Sequence, residues 1–545
     1  MGRLRKPLVL LLLAVAAGGL IAHASLFSFF VTDDAYISFV YSKHLAEHGQ
    51  LVFNLGEKPV EGYTNFLWTV LLAGLMKLGW KPESSSVALG IGFAIGTMIV
   101  CALLVRRLRG DGDRWSAWDA LPALLLAAVP GYACWAAGGL ETQMFTFFAT
   151  LGAALHLAPH RDGSDRVRPL AGLVFGLAAL TRPEGNLFFA LAALHRVAWK
   201  LRRRRLALTR DELAFVGLFA LLVVPHLLWR HHYYGYWVPN TFFVKASGDA
   251  RAATLGQGLY YLGRFAQAFL VYLLLLPPVA ALAAKPDPGT RRLLRFAALV
   301  LPVFFAYVVS VGGDFMGLFR FVMPAMPLVA LACALGLRAV AARVTDGGAR
   351  LAWLPPVAVA ALLGGYVAHG VAVDRAAQVY LGPGASDRGI DTPGYLRWYT
   401  EDRAAIGRWF GQHAQPDDYA AVGGAGAQVY YSGMRSLDCF GLSDEYIAHQ
   451  VPPVSHRPGH QKYAPLEYQL SRHPTIITSN YYNIGTGPME RPDAGDWKRR
   501  GYHYVSVQVP GLSSGGWYTF LKRMDRRVGP LPPFSPPAPA NFDLQ

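Results

Sequence analysis

Charged residues are scarce in this chain of 545 residues. Asp, Glu, Lys and Arg make up 16% of it, hydrophobic residues make up 53%, and the mean hydropathy is +0.27. A typical soluble domain carries about 25% charged residues, so this composition excludes an ordinary soluble enzyme and predicts a membrane protein. Cysteine is scarce too, and the four cysteines are too scattered to predict a disulfide framework or a zinc site.

Acidic residues are fewer than basic ones, 35 against 51, which gives a formal net charge of +16. The basic residues stand in short runs between apolar segments rather than on one continuous face, and this pattern argues against a nucleic-acid partner. It is typical of loops that stay on the cytoplasmic side of a membrane. The basic loops agree on one orientation, with the remaining loops on the outer side.

Long apolar runs predict about eleven transmembrane helices, the first of them a retained signal anchor. The run at 66–78 is short for a span, so we expect it to lie in the outer interface. The TRPEG stretch at 181–185 could be a break within one long helical hairpin. An odd number of spans places the N-terminus inside and the polar tail outside. The predicted spans are 8–30, 87–105, 119–137, 141–158, 169–181, 185–200, 212–230, 258–284, 293–311, 321–341 and 352–372.

We therefore predict an α-helical polytopic membrane protein with a C-terminal extracytoplasmic α/β domain. The membrane domain covers residues 1–372 and contains a first outer loop, 31–86, that we expect to be catalytic. Residues 373–529 mix helical and strand patterns, and 530–545 are too rich in proline for packed structure. The expected location is the bacterial cytoplasmic membrane, with the active site and the C-terminal domain on the periplasmic or extracellular side.

The predicted topology gathers ionisable residues on the outer face. Asp33 and Asp34 follow the first span, where a carboxylate is costly unless it has a function. Arg320 belongs to a later outer loop. Carboxylates and cations beside apolar helix ends are what an anionic, lipid-linked substrate needs. The other candidates on this face are Tyr63, Asn65, Glu141, Arg182, Glu184, His231, Asn240, Lys245, Asp314 and His460.

Motifs spread over residues 30–465 occur together in one known family. They are DDAYISFVYSKHLAEHGQLVFNLGEKPVEGYTNFLWT, GGLET, LTRPEG, YGYWVPNTFFVK, GGDFMGLFRFVMPAMP, DCFGLSDEYIA and GHQK. In these the chain resembles the GT-C polyprenyl-phosphate glycosyltransferases, most closely the terminal arabinofuranosyltransferases of actinobacterial cell walls. The resemblance implies a multi-helix membrane core and a catalytic base at Asp33 or Asp34. The family pattern reads GHEK where this chain has Gln461.

Sugar transfer from a polyprenyl phosphate needs a base for the acceptor hydroxyl and cations for the departing phosphate. Asp33 and Asp34 are the catalytic candidates, because a neighbouring carboxylate raises the pKa of each. Arg320 is the first choice for the donor phosphate, since its two-donor fork fits phosphate oxygens. Attack opposite the phosphate would invert the anomeric configuration. The further phosphate-binding candidates are Lys245, His231 and Arg182.

The predicted function is that of an inverting glycosyltransferase, with arabinofuranose favoured as the sugar. Its expected partners are a polyprenyl-phosphate sugar donor, a glycan, lipid or protein acceptor, and the lipid bilayer, with no nucleic acid. A transporter or flippase of lipid-linked sugars is the alternative, although clear internal repeats are lacking. The sequence shows no required cofactor, and it leaves a divalent metal open because no further ligand stands at a readable spacing.

Each candidate also has a purely structural interpretation. Asp33 and Asp34 could cap a helix, and Asp314 could cap the helix that follows it. Glu184 could be a first-turn acid stabilised by the helix dipole, with Arg182 as its partner. These interpretations stay open at the level of sequence. The tail residues that we expect to reach over the membrane site are Asp438, Asp444 and His460.

Overall fold

The structure of the protein is a computed structural model. The side chains of residues 245, 251 and 346 lie outside the described part, as does the Pro-rich end of the chain beyond residue 534. The described residues are 5–110, 114–160, 166–204, 207–245, 251–346, 353–455, 457, 459–478, 483–489, 491–513 and 515–534.

The first part of the described chain is almost entirely helical, with short 3-10 helices at Ala117–Asp119 and Arg320–Ala325. Its α-helices are α1 Arg5–Ser25, α2 Asp33–His48, α3 Phe66–Lys77, α4 Pro82–Leu108, α5 Leu121–Ala127, α6 Pro130–Ala137, α7 Thr142–Leu157, α8 Leu170–Thr181, α9 Gly185–Arg202, α10 Arg210–Tyr234, α11 Asn240–Lys245, α12 Arg251–Ala268, α13 Val271–Ala283, α14 Pro288–Ser310, α15 Met326–Asp346 and α16 Leu354–Ala377.

Among the described residues, six helices are long and apolar enough to cross a membrane, or up to eight if each of two bent helix pairs counts as one span. The six are α1, α4, α10, α14, the helix Arg320–Thr345 and α16. All eleven predicted segments contain helix, but the count of about eleven is not reached. The reason is that α7 and α8 have only 16 and 12 residues, and α9 ends in a strongly basic turn.

Two predicted spans are broken rather than straight. The first bends by 70° between α5 and α6, where Pro130 begins the second helix and has no N–H to continue the first. The second bends by 80° between α12 and α13, where Leu270 takes a left-handed φ of 44°. The interfacial segment predicted at 66–78 forms the separate helix α3.

The C-terminal region combines helices with a six-stranded sheet of order β4-β3-β5-β8-β6, in which β7 also pairs with β8. Strands β3, β4 and β5 are parallel, and the remaining pairs are antiparallel. The elements are β1 Ser386–Asp387, β2 Ile390–Asp391, α17 Pro393–His413, β3 Tyr419–Val422, α18 Ala427–Ser432, β4 Arg435–Asp438, α19 Glu445–Gln450, α20 Leu466–Ser471, β5 Ile476–Thr478, β6 Ile484–Gly485, α21 Ala494–Arg499, β7 Tyr502–Gln508 and β8 Trp517–Arg523.

This C-terminal region packs directly on the first outer loop. Buried Tyr41 and Phe53 of the loop share one apolar cluster with Ile406 and Phe410 of α17. Beside them Asn54 pairs with the backbone of Ser436, donating to its carbonyl at 2.9 Å and accepting from its N–H at 2.9 Å. A shared apolar core and a satisfied polar pair fix the two parts against each other.

Candidate active site

Asp33 and Asp34 form the first turn of α2, which follows Thr32 in extended conformation. The start of the helix is held by the GGLET loop, because the N–H of Thr32 donates to Gly138 at 3.2 Å. The next residue, Gly139, has a φ of 78°, and a Cβ there would lie 2.6 Å from the Val31 side chain. Only glycine therefore allows this close approach, which fixes where α2 begins.

The C-terminal region reaches Asp33 through the glycine-rich segment between β3 and α18. The backbone N–H of Ala427 donates to Oδ1 of Asp33 at 2.8 Å. A Cβ on Gly426 would come within 2.0 Å of the Asp33 carbonyl oxygen and 2.6 Å of its carboxyl group. The loop can cover this carboxylate only because a glycine stands at 426.

The carboxyl group of Asp33 is held in a state that favours proton uptake near neutral pH. Burial raises its pKa to about 6, and the charge of Asp34 acts in the same direction. The hydrogen bond from Ala427 and the positive charge of Arg403 oppose the rise. No lysine or arginine in the described part of the chain forms an ion pair with Asp33 within 4 Å.

A second group pairs one arginine with two carboxylates. Arg182 donates to Glu141 at 2.6 Å and to both oxygens of Glu184, at 2.8 and 3.2 Å. The other oxygen of Glu141 accepts from Asn65 at 2.8 Å, and Asn65 in turn donates to Ser38 of α2. This chain of contacts joins the TRPEG and GGLET loops to the helix that carries Asp33.

Arg320 adjoins this group across an aromatic ring. Its Nε donates to Asp314 at 2.8 Å, so Asp314 binds the arginine of its own motif. The guanidinium groups of Arg182 and Arg320 lie 5.0 and 5.2 Å from the centre of the Phe321 ring. Arg320 also faces the Trp135 ring at 5.9 Å. The structure thus places Arg182 and Arg320 together, each with carboxylate partners.

A third group anchors the C-terminal region. Buried Arg230 pairs with Glu61 at 2.8 Å, and the Glu61 carbonyl accepts from the backbone N–H of Asn240 at 3.0 Å. The side chain of Asn240 donates to backbone carbonyls of the segment 441–444. Tyr63 joins the same group through its hydroxyl, 3.1 Å from that of Tyr234. Asn240 and Tyr63 therefore serve as contacts between regions in this structure.

The predicted site residues of the tail differ in what they contact. His460 packs edge-on against Phe315 of the GGDFM loop, with ring centres 5.0 Å apart, so the GHQK segment reaches the membrane domain. Asp438 closes its own turn by accepting from the N–H groups of Phe440 and Ser443. Asp444 accepts from Ile447 at the start of α19. Both aspartates hold loops at the carboxyl ends of parallel strands.

Two predicted phosphate ligands are not joined to these groups by any contact that the structure describes. His231 is exposed and stacks on Trp237 with ring centres 4.2 Å apart, which is the contact of an interfacial aromatic pair. The side chain of Lys245 lies outside the described residues. Within the described ranges, no group of three or more His, Cys, Asp or Glu side chains is arranged to hold a metal ion.

Comparisons with known proteins agree with this architecture. The structure of ArnT from Cupriavidus metallidurans bound to undecaprenyl phosphate matches 95% of this chain and 98% of its own, with a TM-score of 0.58 and 14% sequence identity. Its apo state matches the same shares with a TM-score of 0.55 and 13% identity. The chain has an ArnT-like fold. The predicted fold class, a GT-C-like membrane core with a C-terminal α/β region, is confirmed.

Sequence comparison covers a smaller part of the chain than the structural match does. A family model described as a domain of unknown function (DUF8728) matches residues 394–521, from α17 into β8. No curated protein matches the chain. The many apolar helices and the shared fold together establish a multi-pass membrane protein.

Sequence reasoning missed three residues of the C-terminal region that act on Asp33. They are Gly426, Ala427 and the buried cation Arg403. The GGAGA stretch at 423–427 is visible in the sequence, but it lacks the G-x-G-x-x-G spacing of a dinucleotide-binding loop. The useful signal was its place after a strand, because functional loops of parallel sheets lie at the carboxyl ends of the strands.

Proposed function

We propose that this protein is a glycosyltransferase that uses a polyprenyl-phosphate sugar as donor and inverts the anomeric configuration. The observation that carries the proposal is the carboxyl group of Asp33, which stands at the end of a membrane domain with its pKa raised to about 6 by burial. A base with such a pKa is ionised at neutral pH and still accepts a proton readily. No lysine or arginine of the described residues forms an ion pair with it within 4 Å.

In the proposed reaction, Asp33 takes the proton of an acceptor hydroxyl while the hydroxyl oxygen attacks the anomeric carbon. The bond from that carbon to the phosphate oxygen breaks, and the polyprenyl phosphate leaves with the electron pair. Asp34 orients Asp33 or the acceptor. We assign the terminal nitrogens of Arg320 to the phosphate oxygens, because Nε already serves Asp314.

The neighbouring polar residues take supporting roles in this proposal. We assign Arg182 as a further phosphate contact beside Arg320, and Glu141 and Glu184 keep it in place. The loops that carry these residues are held by Asn65 and Asp314. The parts of the site that bind the acceptor and the donor are brought together by His460, Tyr63 and Asn240. Lys245 and His231 remain proposed as outer phosphate contacts.

The lipid-linked donor is supported by two independent features. The motifs of the outer loops resemble those of the GT-C polyprenyl-phosphate glycosyltransferases, and ArnT, which shares the fold, was solved with undecaprenyl phosphate bound. Arabinofuranose is the proposed sugar because the motifs are nearest to the terminal arabinofuranosyltransferases. The acceptor is a glycan, lipid or protein of the cell envelope. We place the protein in the bacterial cytoplasmic membrane, with its site and the region 373–529 outside.

A transfer assay in sealed vesicles tests the proposal. Purified protein should move radiolabel from polyprenyl-phosphate arabinofuranose to cell-wall glycan acceptor without any nucleotide, and the mannose analogue should transfer more slowly. Movement of the donor across the bilayer without transfer would establish the transporter or flippase alternative instead. Equal rates with both sugars would keep the reaction type but remove the preference for arabinofuranose.

A further inference from the structure

One buried hydroxyl beside the candidate active site has no hydrogen-bond partner among the described residues. It belongs to Tyr261 in α12, whose side chain is fully buried. The ring contacts the residues that directly precede Asp314 and Arg320. A Cβ on Gly313 would lie 2.5 Å from the Tyr261 ring, and the centre of the Phe319 ring is 5.2 Å from that of Tyr261. Tyr261 therefore packs on the loop that carries the Asp314–Arg320 ion pair.

The surroundings of the Tyr261 hydroxyl are charged. The carboxylate of Asp314 and the guanidinium groups of Arg320 and Arg182 all act on it electrostatically. The backbone N–H of Phe321 approaches its oxygen without forming a regular hydrogen bond, and no described group accepts its proton. The hydroxyl thus stands among the cations that we assign to the donor phosphate, with a proton that it can donate.

The packing of α12 does not explain why this side chain carries a hydroxyl. A buried hydroxyl without a partner destabilises a fold, because it loses its hydrogen bonds to water and gains none in return. Phenylalanine would place the same ring against Phe319 and would avoid this loss. The position of the hydroxyl beside Arg320 and Arg182 instead indicates a ligand that brings hydrogen-bond acceptors to this place.

We propose that Tyr261 binds the phosphate of the lipid-linked donor as a neutral hydrogen-bond donor. The inference rests on the proposed function, which assigns Arg320 and Arg182 to the same phosphate. Phosphate oxygens are the acceptors that the hydroxyl proton lacks among the described residues. The leaving phosphate gains negative charge as its bond to the anomeric carbon breaks, so the hydrogen bond from Tyr261 strengthens in the transition state. Tyr261 keeps its proton throughout.

Thermal unfolding of the purified full-length protein, with and without undecaprenyl monophosphate, tests this inference without relying on transfer. Tyr261→Phe removes only the hydroxyl. Without lipid, Y261F should unfold at the wild-type temperature or above it, because an unpartnered hydroxyl stabilises nothing. Its affinity for the lipid should fall about tenfold or more, since a hydrogen bond to a charged group is lost. The rise in Tm caused by the lipid should shrink accordingly.

The matched control is Tyr366→Phe. Tyr366 in α16 is a second buried tyrosine whose hydroxyl has no partner among the described residues. Y366F should bind the lipid as the wild type does. Direct contact is measured by ³¹P NMR, in which the resonance of bound undecaprenyl monophosphate should shift in Y261F and stay in place in Y366F.

Wild-type affinity in Y261F would overturn the assignment of Tyr261 and leave the proposed reaction intact. Weaker binding with a lower Tm of the lipid-free protein and an unmoved ³¹P resonance would also overturn it, because the hydroxyl would then serve the fold. If the wild type bound polyprenol as tightly as its phosphate, the proposed donor would fail and this inference with it. Phosphate binding that depends on Tyr261 without any sugar transfer would contradict the proposed reaction alone.

Discussion

Asp33 and Glu184 are acids at helix starts beside the outer loops, yet their electrostatic settings are opposite. Glu184 begins α9 and receives two hydrogen bonds from Arg182. Burial alone would raise its pKa, but the charge and hydrogen bonds of Arg182 bring it below the ordinary value. Asp33 accepts from the backbone N–H of Ala427 and has no arginine at hydrogen-bond distance among the described residues, and burial raises its pKa to about 6. Glu184 is therefore a permanent anion, whereas Asp33 can exchange a proton near neutral pH.

The two acids also differ in what covers them. Glu184 and its arginine lie among loops of the membrane domain, close to Phe321. Asp33 is covered by Gly426 and Ala427, nearly 400 positions further along the chain. An ion pair between neighbouring residues stabilises the fold. An acid that is covered by a separate region of the chain is suited to a reaction that requires the two regions to pack together. Four experiments test this difference, from the largest expected effect to the smallest.

Asp33→Asn should remove the base while keeping the size of the side chain. We expect kcat to fall on the order of 10²- to 10⁴-fold with KM for the donor nearly unchanged. The measurement is steady-state transfer in vesicles, and D33E should recover part of the rate because it restores a displaced carboxylate. The matched variant Asp34→Asn should lose less. Wild-type rates in both Asn variants would remove the aspartates from catalysis.

Arg320→Ala should nearly abolish transfer, since it removes the proposed phosphate ligand, and Arg320→Lys should lose much of the rate because lysine lacks the fork. The Ala variant also leaves Asp314 buried without its partner, which costs about 3–5 kcal/mol of stability for such a buried pair. Thermal unfolding of both variants separates the two effects, because lysine keeps the charge. Normal turnover in a folded R320A protein would pass the phosphate role to Arg182 or Lys245.

Gly426→Ala tests the cover over Asp33. The new Cβ would meet the Asp33 carbonyl oxygen at 2.0 Å, so the loop or the helix start must move. We expect kcat to fall about tenfold, as a small displacement of a catalytic group costs rate at this scale. The control is Gly495→Ala in α21, where a Cβ meets nothing within 4 Å. Equal activity of G426A and G495A would separate the loop from the function of Asp33.

The pH dependence of transfer provides the smallest and most specific effect. Asp33 must be ionised to act as base, so kcat should fall as pH drops through about 6. Arg403→Gln removes a positive charge that lowers this pKa. The acid limb of the pH profile, where kcat falls at low pH, should therefore move to higher pH. R403K keeps the charge and should keep the limb in place. An identical limb in wild type and R403Q would show that the charge of Arg403 does not act on Asp33.

The helical core was predictable because hydrophobic runs of span length have few alternatives in a membrane. All eleven predicted segments contain helix, and the interfacial helix at 66–78 was anticipated as well. The bends were not predicted, although Pro130 was a visible signal. Within the tail, the strand at 419–422 and the helix before it follow from local periodicity. Local sequence patterns therefore predicted the positions of helices and strands well, and the number and shape of the membrane spans less well.

The candidate site could be predicted in part. Asp33, Asp34 and Arg320 were named from their motifs, and the pairing of Arg182 with Glu184 was foreseen because the two residues stand two positions apart. The additional pairing of Arg182 with Glu141 was not foreseen. Nor was the contact of Asp314 with Arg320, because Asp314 had been considered as a substrate-binding residue or a helix cap. Such long-range choices depend on how loops pack, which local spacing does not encode.

By itself, the sequence determined the membrane character of the protein, the order of its helices and the residue types on the loops between them. Hydropathy and charge act locally, so a single chain is sufficient to read them. Only the tertiary structure decided that Arg182 neutralises Glu184 and that Asp33 is left to titrate near neutral pH. That outcome depends on the burial of Asp33 beneath Gly426 and Ala427, which arises only when the two regions pack together and which raises the pKa against the opposing hydrogen bond from Ala427.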